Sequence, residues 1–435
     1  MRVAVIGGGI SGLYTIYKLV HHHKLKLSDF KLYEGSDNLG GRIKTLYTKG
    51  GIPIELGAGR FSIESHPTLN KLINNFLISC TNFNYNKITD FSQNGILSNN
   101  SSVDNELVIK LLTECKSNQL LKSPSLNLNS ISFKDWILDY SSLKAFNILE
   151  QVCGYAVINN KLLPADEGLK ILDQHPEAHG KFLSHNMEFS WKQPKDGFIQ
   201  LVKAITNSIK DMPNIQIFTG HNVKKINKKN KSYELCIENK VTGDCLIEAD
   251  MVFLTIPANY INKLELVAGL SNIKQIYKEI VQVPLFKMFL HFPKNWWCKY
   301  IKTKENFFIV NTGPERKFYF SNHKNEIMIY SDSGDAVLLN EKCSNHKETF
   351  LPQLYKKIAN FFGLSELPYS PTDINYQFWE SGVSFWKINT QRDRLLSIRK
   401  EHAVNNFYIV SDMITESSGW INSTLDFIDD LTNNV

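Results

Sequence analysis

The sequence has no uninterrupted apolar stretch of about eighteen residues, the length that a membrane-spanning helix needs. We also expect no secretory leader, because the first apolar strand pattern already begins at residue 2. We therefore predict a cytoplasmic protein without a membrane anchor.

Cysteine pairs at metal-binding or redox spacing are absent as well. The seven cysteines are scattered, and none forms a C-x-x-C pair, which predicts reduced thiols rather than a metal site or a disulfide framework. The net charge is +6 over 435 residues, which is too mild for a nucleic-acid-binding surface. Neither a metal ion nor a nucleic acid is therefore an expected partner.

The most informative feature present is a glycine-rich turn near the start of the chain. Residues 2–6 are rich in β-branched side chains, Gly7-Gly-Gly-Ile-Ser-Gly12 follows directly, and residues 13–20 have a helical pattern. In a strand–turn–helix unit of this kind Gly7 makes the tight turn, Gly9 lets the backbone approach a pyrophosphate, and Gly12 lets helix and strand pack closely. The order predicts a dinucleotide site at the helix N-terminus.

An acidic residue ends the second predicted strand. Glu34 lies about twenty residues after Gly12, where a carboxylate accepts hydrogen bonds from a ribose 2′-hydroxyl. Because a carboxylate repels a 2′-phosphate, FAD or NAD is favoured over NADP.

Gly40-Gly41-Arg42 distinguishes between FAD and NAD. Glu34 followed by Gly-Gly-Arg resembles the signature of the FAD-dependent amine oxidase superfamily. The resemblance implies that the Gly-Gly backbone and Arg42 lie over the pyrophosphate side of FAD. A charge-assisted contact from Arg42 to phosphate is worth roughly 1.5–3 kcal/mol.

The order of predicted elements resembles this superfamily along nearly the whole chain and predicts an α/β fold. We expect a discontinuous Rossmann-like FAD-binding domain from residues 1–66, 191–258 and 400–435. A substrate domain would combine a mostly helical part, residues 67–190, with a mixed-sheet part, residues 259–399. Predicted helices include 69–77, 106–115, 133–153 and 199–209, and the second sheet is predicted from 275–295, 306–332 and 373–390.

Lys287 lies inside an apolar strand pattern that resembles the strand placing a lysine near flavin N5, where it holds a water in the family. A lysine in such a strand is costly unless it is satisfied, which favours a functional role. The alternative is an edge strand in which Lys287 points outward while Phe286 and Met288 point inward.

Two patterns resemble L-amino-acid oxidases more than other subfamilies. Arg60 follows the Glu55-Leu-Gly-Ala-Gly59 turn, where the resemblance implies a clamp for the substrate α-carboxylate. Tyr330 ends a strand at the position of a tyrosine that binds the same carboxylate. An amine substrate would be repelled by Arg60.

The closing segment also resembles that subfamily. Gly419-Trp420 matches the pair that meets the flavin ring at a helix N-terminus, with Trp420 as a wall of the substrate cavity and the Gly419 carbonyl as an acceptor for the amino group. The sequence departs from the pattern at Ser411-Asp412, where the family usually has Gly-Glu. Asp412 is one methylene shorter than the glutamate that reaches the ribityl chain, which puts FAD affinity in question.

The resemblance implies a set of residues that hold FAD, with the backbone at Val223 contacting adenine. Residues 380–383 contain no cysteine for covalent attachment, so we expect non-covalent FAD. The implied set is Gly7, Gly9, Ser11, Gly12, Glu34, Gly41, Arg42, Gly57, Ala58, Val223, Asp412, Trp420 and Ile421.

The expected activity is oxidative deamination of an L-amino acid by hydride transfer to flavin N5, giving a 2-oxo acid, ammonia and hydrogen peroxide. The implied catalytic residues are Lys287, Arg60, Tyr330, Trp420 and Gly419, and the partners are the amino acid and dioxygen, with a homodimer as a further expectation. The pattern identifies no catalytic base; His185 and His323 are candidates that more often have structural roles. Two alternatives stay open: an amine or polyamine oxidase, and a flavin-binding protein without oxidase activity.

Overall fold

The computed structural model describes residues 1–21, 25, 27–88, 90–91, 97–98, 101–173, 190–239, 241, 243–267, 269–301, 305–311, 313–415 and 420–433. Within these ranges no helix is both long and apolar enough to cross a membrane.

A parallel sheet assembled from distant segments forms the first layer. In spatial order its strands are Ile215–Phe218, Asp29–Tyr33, Arg2–Ile6, Met251–Leu254 and Phe407–Ile409. The central strand pairs with both neighbours in register, Val3 with Phe30 on one side and with Met251 on the other. The Rossmann-like parallel sheet that was predicted around the glycine turn is confirmed.

Both faces of this sheet are covered, which explains why residues 251–254 are apolar without alternation. Val3 and Val5 pack against the helices Ile10–Val20, Ile199–Ile209 and Ile421–Asn433. Ala4 and Ile6 face the opposite core, which includes side chains of a mostly antiparallel sheet whose last two strands pair in parallel. The strands of that sheet are, in order, Cys245–Ala249, Tyr233–Asn239, His221–Lys228 and Glu265–Leu266.

A mixed six-stranded sheet forms the second layer. Its strands in order are Asp373–Trp386, Ile280–His291, Glu326–Asp332, Lys317–Ser321, Phe307–Val310 and Asn86–Ile88. The predicted second sheet is thus confirmed, and so is the α/β class. The segment predicted to be mostly helical also contributes a strand at residues 86–88, which pairs in parallel with residues 307–309, a partner that local pattern does not show.

The helical region also breaks where a single helix was predicted. Phe133–Tyr140 and Leu143–Cys153 are two helices, because the Ser142 hydroxyl accepts from the Ala145 amide and starts a new one. Gly154, with φ of +62°, ends the second.

The remaining elements complete the described part of the chain. The other helices are Pro67–Asn75, Ser101–Lys122, Ala165–Asp173, Ala258–Lys263, Ile273–Lys278, Ser333–Asn345, Lys347–Asn360 and Arg392–Ala403. Short strands are Thr45–Tyr47 with Pro53–Glu55, Asp90–Phe91 with Leu97–Ser98, and Trp191–Pro194 between Phe61–Ser62 and Cys80–Asn82. The division into two domains stays a prediction.

Candidate functional site

One large cavity of about 1930 Å³ runs from the carboxyl ends of the parallel strands to the six-stranded sheet. Pockets for a single small ligand usually measure about 300–1,000 Å³, so this cavity has room for a dinucleotide and a substrate together. It is lined by almost all of the site residues that the sequence predicts: Gly7, Gly9, Ser11, Glu34, Gly41, Arg42, Gly57, Ala58, Arg60, Val223, Lys287, Tyr330, Asp412, Trp420 and Ile421. Gly12 lies behind the turn, and Gly419 and His185 lie outside the described residues.

The glycine turn is shaped by close backbone contacts. A Cβ on Gly12 would lie 2.0 Å from the Gly7 carbonyl oxygen, and Gly7 itself has a φ of +111°. A Cβ on Gly9 would meet nothing closer than 3.9 Å, so the chain here faces open cavity. The helix begins at once, with the Leu13 amide donating to the Gly9 carbonyl. The free N–H groups of the helix N-terminus are therefore available to a pyrophosphate.

Replacing Gly12 by alanine is expected to abolish FAD binding and to destabilise the fold by about 1–3 kcal/mol or more, because strand and helix must separate. Thermal unfolding and the FAD-to-protein ratio of the purified variant measure both effects. Gly334 is the matched control, since a Cβ there meets no atom within 4 Å. If Gly12→Ala and Gly334→Ala behave alike, the close contact at Gly12 is not needed.

Glu34 is held at the edge of the sheet by the turns around it. Its Oε2 accepts from the Gly8 amide at 2.7 Å, and its Oε1 accepts from the Ser36 amide at 2.8 Å. The carboxylate is therefore held in one orientation, and Glu34 and Val223 both line the cavity. The contacts of Glu34 with ribose and of Val223 with adenine stay predictions.

Arg42 and Asp412 form an ion pair on the cavity wall. The Arg42 Nη2 lies 2.5 Å from Asp412 Oδ1, and its Nη1 donates to the Gly382 carbonyl at 2.8 Å. The side chain of Asp412 is 9% exposed and that of Arg42 is 33% exposed, so the cation is the partner that can turn toward a ligand. The aspartate that departs from the family pattern is thus bound to the arginine of the Gly-Gly-Arg signature.

Replacing Arg42 by alanine is expected to weaken FAD binding by about 10- to 150-fold, since a charge-assisted phosphate contact of roughly 1.5–3 kcal/mol is lost. Titration of the apoprotein with FAD, followed by flavin fluorescence, measures the dissociation constant. Arg394→Ala, at an exposed position, is the control. An unchanged constant for Arg42→Ala would place the phosphates elsewhere.

Lys287 points into the cavity, and the edge-strand alternative is wrong. Its strand lies between Asp373–Trp386 and Glu326–Asp332, and Phe286 and Met288 are buried on the opposite face. The Nζ donates to the Gly57 carbonyl at 2.5 Å and to the Glu55 carbonyl at 3.3 Å. Burial lowers the pKa of Lys287 to about 8; Glu55 raises it in part, and Arg60 lowers it further.

Arg60 lies on the cavity wall in an enclosure of aromatic side chains. Its guanidinium carbon is 4.9 Å from the Trp191 ring centre and 5.3 Å from that of Phe83, distances typical of cation–π contacts. The Tyr319 hydroxyl lies beside it, and Tyr330 is close enough to interact with its charge. No carboxylate forms an ion pair with Arg60 in the part of the chain that the structure describes.

Trp420 belongs to the same enclosure. Its ring centre lies 5.7 Å from that of Trp191 and 4.4 Å from that of His66. Burial lowers the pKa of His66 to about 4, with Arg60 acting in the same direction, so this imidazole is neutral at pH 7. His323 is exposed and does not line the cavity, which leaves it without a role in the site.

Sequence reasoning missed the residues that surround Arg60. Phe83, Tyr85, Tyr155, Trp191 and Tyr319 come from four separate segments. Only Tyr319 carried a usable signal, because alternation along residues 317–321 puts it on the opposite face from Phe318 and Phe320, which are fully buried.

Comparisons with known proteins agree with this geometry. Residues 10–425 match the family described as flavin containing amine oxidoreductase. Uncharacterized protein R188 of Acanthamoeba polyphaga mimivirus is 21% identical over 99% of this chain and 92% of its own length, and achacin of Lissachatina fulica is 20% identical over 87% and 81%. A redesigned putrescine oxidase has a similar fold, with a TM-score of 0.72 at 15% identity, covering 100% of this chain and 98% of its own.

The glycine cradle, Glu34 and the Arg42 cation fit the diphosphate and ribose of FAD, and the family match covers nearly the whole chain. The cofactor is therefore FAD, and the chain belongs to the flavin-containing amine oxidoreductase family.

Proposed function

We propose that this protein oxidises an L-amino acid, and the observation that carries the proposal is Arg60. A guanidinium taken out of water is costly unless an anion or a set of acceptors compensates it. Arg60 faces the cavity between aromatic rings and has no carboxylate partner in the described ranges. A substrate carboxylate supplies the missing charge, and the planar guanidinium binds it through two parallel hydrogen bonds.

Tyr330 supports the same orientation. It lines the cavity within electrostatic reach of Arg60, and its ring packs edge-on against Tyr155 with centres 5.9 Å apart. Its hydroxyl makes no hydrogen bond to any residue that the structure describes. A second carboxylate contact from this hydroxyl would fix the amino acid at two points.

Lys287 supplies a group that can take up a proton. In its neutral form an amine has two N–H donors and one lone pair, and both donors are occupied by the carbonyls of Gly57 and Glu55. The lone pair is then left to accept a proton, directly or through a water, from the substrate ammonium. The sequence pattern had not identified this role.

The overall reaction removes two electrons and two protons from the amino acid and gives an imino acid, which water converts to a 2-oxo acid and ammonia. FAD, when bound, supplies the two-electron acceptor and passes the electrons to dioxygen, which leaves as hydrogen peroxide. The chain's own residues hold the carboxylate, accept a proton and enclose the substrate with Trp191 and Trp420.

The test is anaerobic reduction of the purified flavoprotein, followed by flavin absorbance, with two matched pools. One contains the twenty amino acids and the other contains the amines that their decarboxylation would give. Bleaching by the amino acids alone supports the proposal. Bleaching by the amines alone would assign an amine oxidase, as in the putrescine oxidase of similar fold, and bleaching by neither would leave a flavin-binding protein without this activity.

A further inference from the structure

A second ionisable side chain lies buried on the wall of the same cavity, and the proposed function does not use it. Glu326 is 4% exposed and lines the cavity, and one of its two carboxyl oxygens, Oε2, is buried without a hydrogen-bond partner in the described part of the chain. Removing an unpaired carboxylate from water costs several kcal/mol, so such a group usually has a partner.

The groups packed around Glu326 do not supply that partner. His291 is nearest, with Nδ1 3.6 Å from Oε2, which is beyond hydrogen-bonding distance. Burial lowers the pKa of His291, which Asp373 partly offsets, so the imidazole carries no charge at pH 7. The Lys324 ammonium donates to the Pro53 carbonyl at 3.3 Å and forms no ion pair with Glu326 among the described residues.

The carboxyl group of Glu326 changes its protonation state near neutral pH. Burial raises the pKa of Glu326 to about 7, Lys324 lowers it in part and Glu55 raises it. Tyr85 lies close enough to interact with both Glu326 and Arg60. A cation arriving from the cavity would shift Glu326 to its ionised form and complete an ion pair.

The strand register places Glu326 and the carboxylate-binding residues on one face of the sheet. Glu326, Met328 and Tyr330 alternate along one strand, so all three side chains point to the same side, about 13 Å from first to last. Phe289 pairs with Met328 across the neighbouring strand. Met328 and Phe289 therefore form an apolar part of the cavity wall between the carboxyl group of Glu326 and the guanidinium of Arg60.

We propose that Glu326 determines substrate specificity by receiving the distal cation of a basic amino acid, the side-chain ammonium of lysine or ornithine or the guanidinium of arginine. This inference rests on the proposed function, because it requires the α-carboxylate to bind at Arg60. The long methylene chain of such a substrate lies over Met328 and Phe289, and its two charged ends meet residues of opposite charge.

The experiment uses the FAD-loaded protein and three probes that differ by one charged group each. L-lysine carries both the carboxylate and the distal ammonium, L-norleucine lacks the ammonium, and cadaverine lacks the carboxylate. For the wild type we expect L-lysine to be preferred over L-norleucine by at least about tenfold in kcat/KM. In Glu326→Gln the kcat/KM for L-lysine is expected to fall about 100-fold, and that for L-norleucine to change less than about threefold.

Two further variants separate specificity from folding. Glu326→Asp keeps the charge and should retain part of the preference for L-lysine. Glu238→Gln, at a half-exposed strand position paired with Lys224, should leave kcat/KM for both substrates unchanged. Bound FAD and the unfolding temperature show whether each variant is folded. If Glu326→Gln does not fold, the ratio of the wild-type kcat/KM values for L-lysine and L-norleucine still tests the inference.

The possible failures are distinguishable. Oxidation of L-norleucine and other neutral amino acids but not of L-lysine, or an equal loss for both in Glu326→Gln, overturns the inference and leaves the proposed function intact. Oxidation of cadaverine without L-lysine overturns both, because the carboxylate is then not recognised.

Discussion

Replacing Arg60 by methionine is expected to lower kcat/KM for amino acids by about 100- to 1,000-fold while FAD stays bound. Removing one partner of a buried charge pair costs about 3–5 kcal/mol, and under the proposed function the partner left behind is the substrate carboxylate. Methionine suits the site because its thioether packs against the rings of Trp191 and Phe83 that now cover the guanidinium. Stopped-flow reduction of the flavin by amino acids, without oxygen, measures the effect.

Substrates without a carboxylate provide an internal comparison for Arg60→Met. Amines should react with Arg60→Met at least as fast as with the wild type, since a repelling cation has been removed. Arg60→Lys should fall between the two, because an ammonium keeps the charge but loses the bidentate geometry. Arg394→Met, at an exposed position, serves as the surface control. Amino-acid kinetics that do not change in Arg60→Met would move the carboxylate site away from this residue.

The parts of the fold that depend on local pattern were predictable. The strand–turn–helix at residues 2–20 has strong local signals, and the helix at residues 199–209 has the predicted bounds. The strand at residues 86–88 was not predictable, because it is three residues long and is stabilised by a partner more than two hundred residues away in the sequence. The break after Tyr140 was visible in principle as two adjacent serines, either of which can start a helix.

The candidate site also contains residues that could be predicted from the sequence and residues that could not. Glu34 could be named from its spacing after the glycine turn, and Arg42 and Lys287 could be named because the segments around them resemble those of the family. The surroundings of Arg60 and the position of Glu326 could not, because they depend on which face of a strand each side chain occupies. A shift of one residue in register moves a side chain to the other face, and the register is set by pairing between distant strands.

Lys287 gives the second large prediction, which concerns pH. Its pKa is lowered from the ordinary value of 10.5 to about 8, so the neutral, proton-accepting amine is the minor form at pH 7 and becomes the major form above about pH 8. The kcat/KM of the wild type should therefore rise about tenfold per pH unit below pH 8 and level off above it. The kcat/KM of Lys287→Met should lack this rise with pH and should lie about 100-fold or more below the wild-type value at high pH.

The pH profile of Lys287→Met separates the ionisation of Lys287 from the ionisation of the substrate. The free substrate ammonium loses its proton at the same pH in both assays, so a rise near pH 8 that is present in the wild type and absent from Lys287→Met reports Lys287. Lys287→Arg tests the assignment further: a guanidinium can still donate to the Gly57 and Glu55 carbonyls but stays protonated at every pH in the range. If the lone pair of Lys287 accepts the proton, Lys287→Arg should be as slow as Lys287→Met although its FAD content and unfolding temperature are closer to the wild type. Activity restored by arginine would mean that Lys287 acts by holding the turn at residues 55–57 in place rather than by moving a proton.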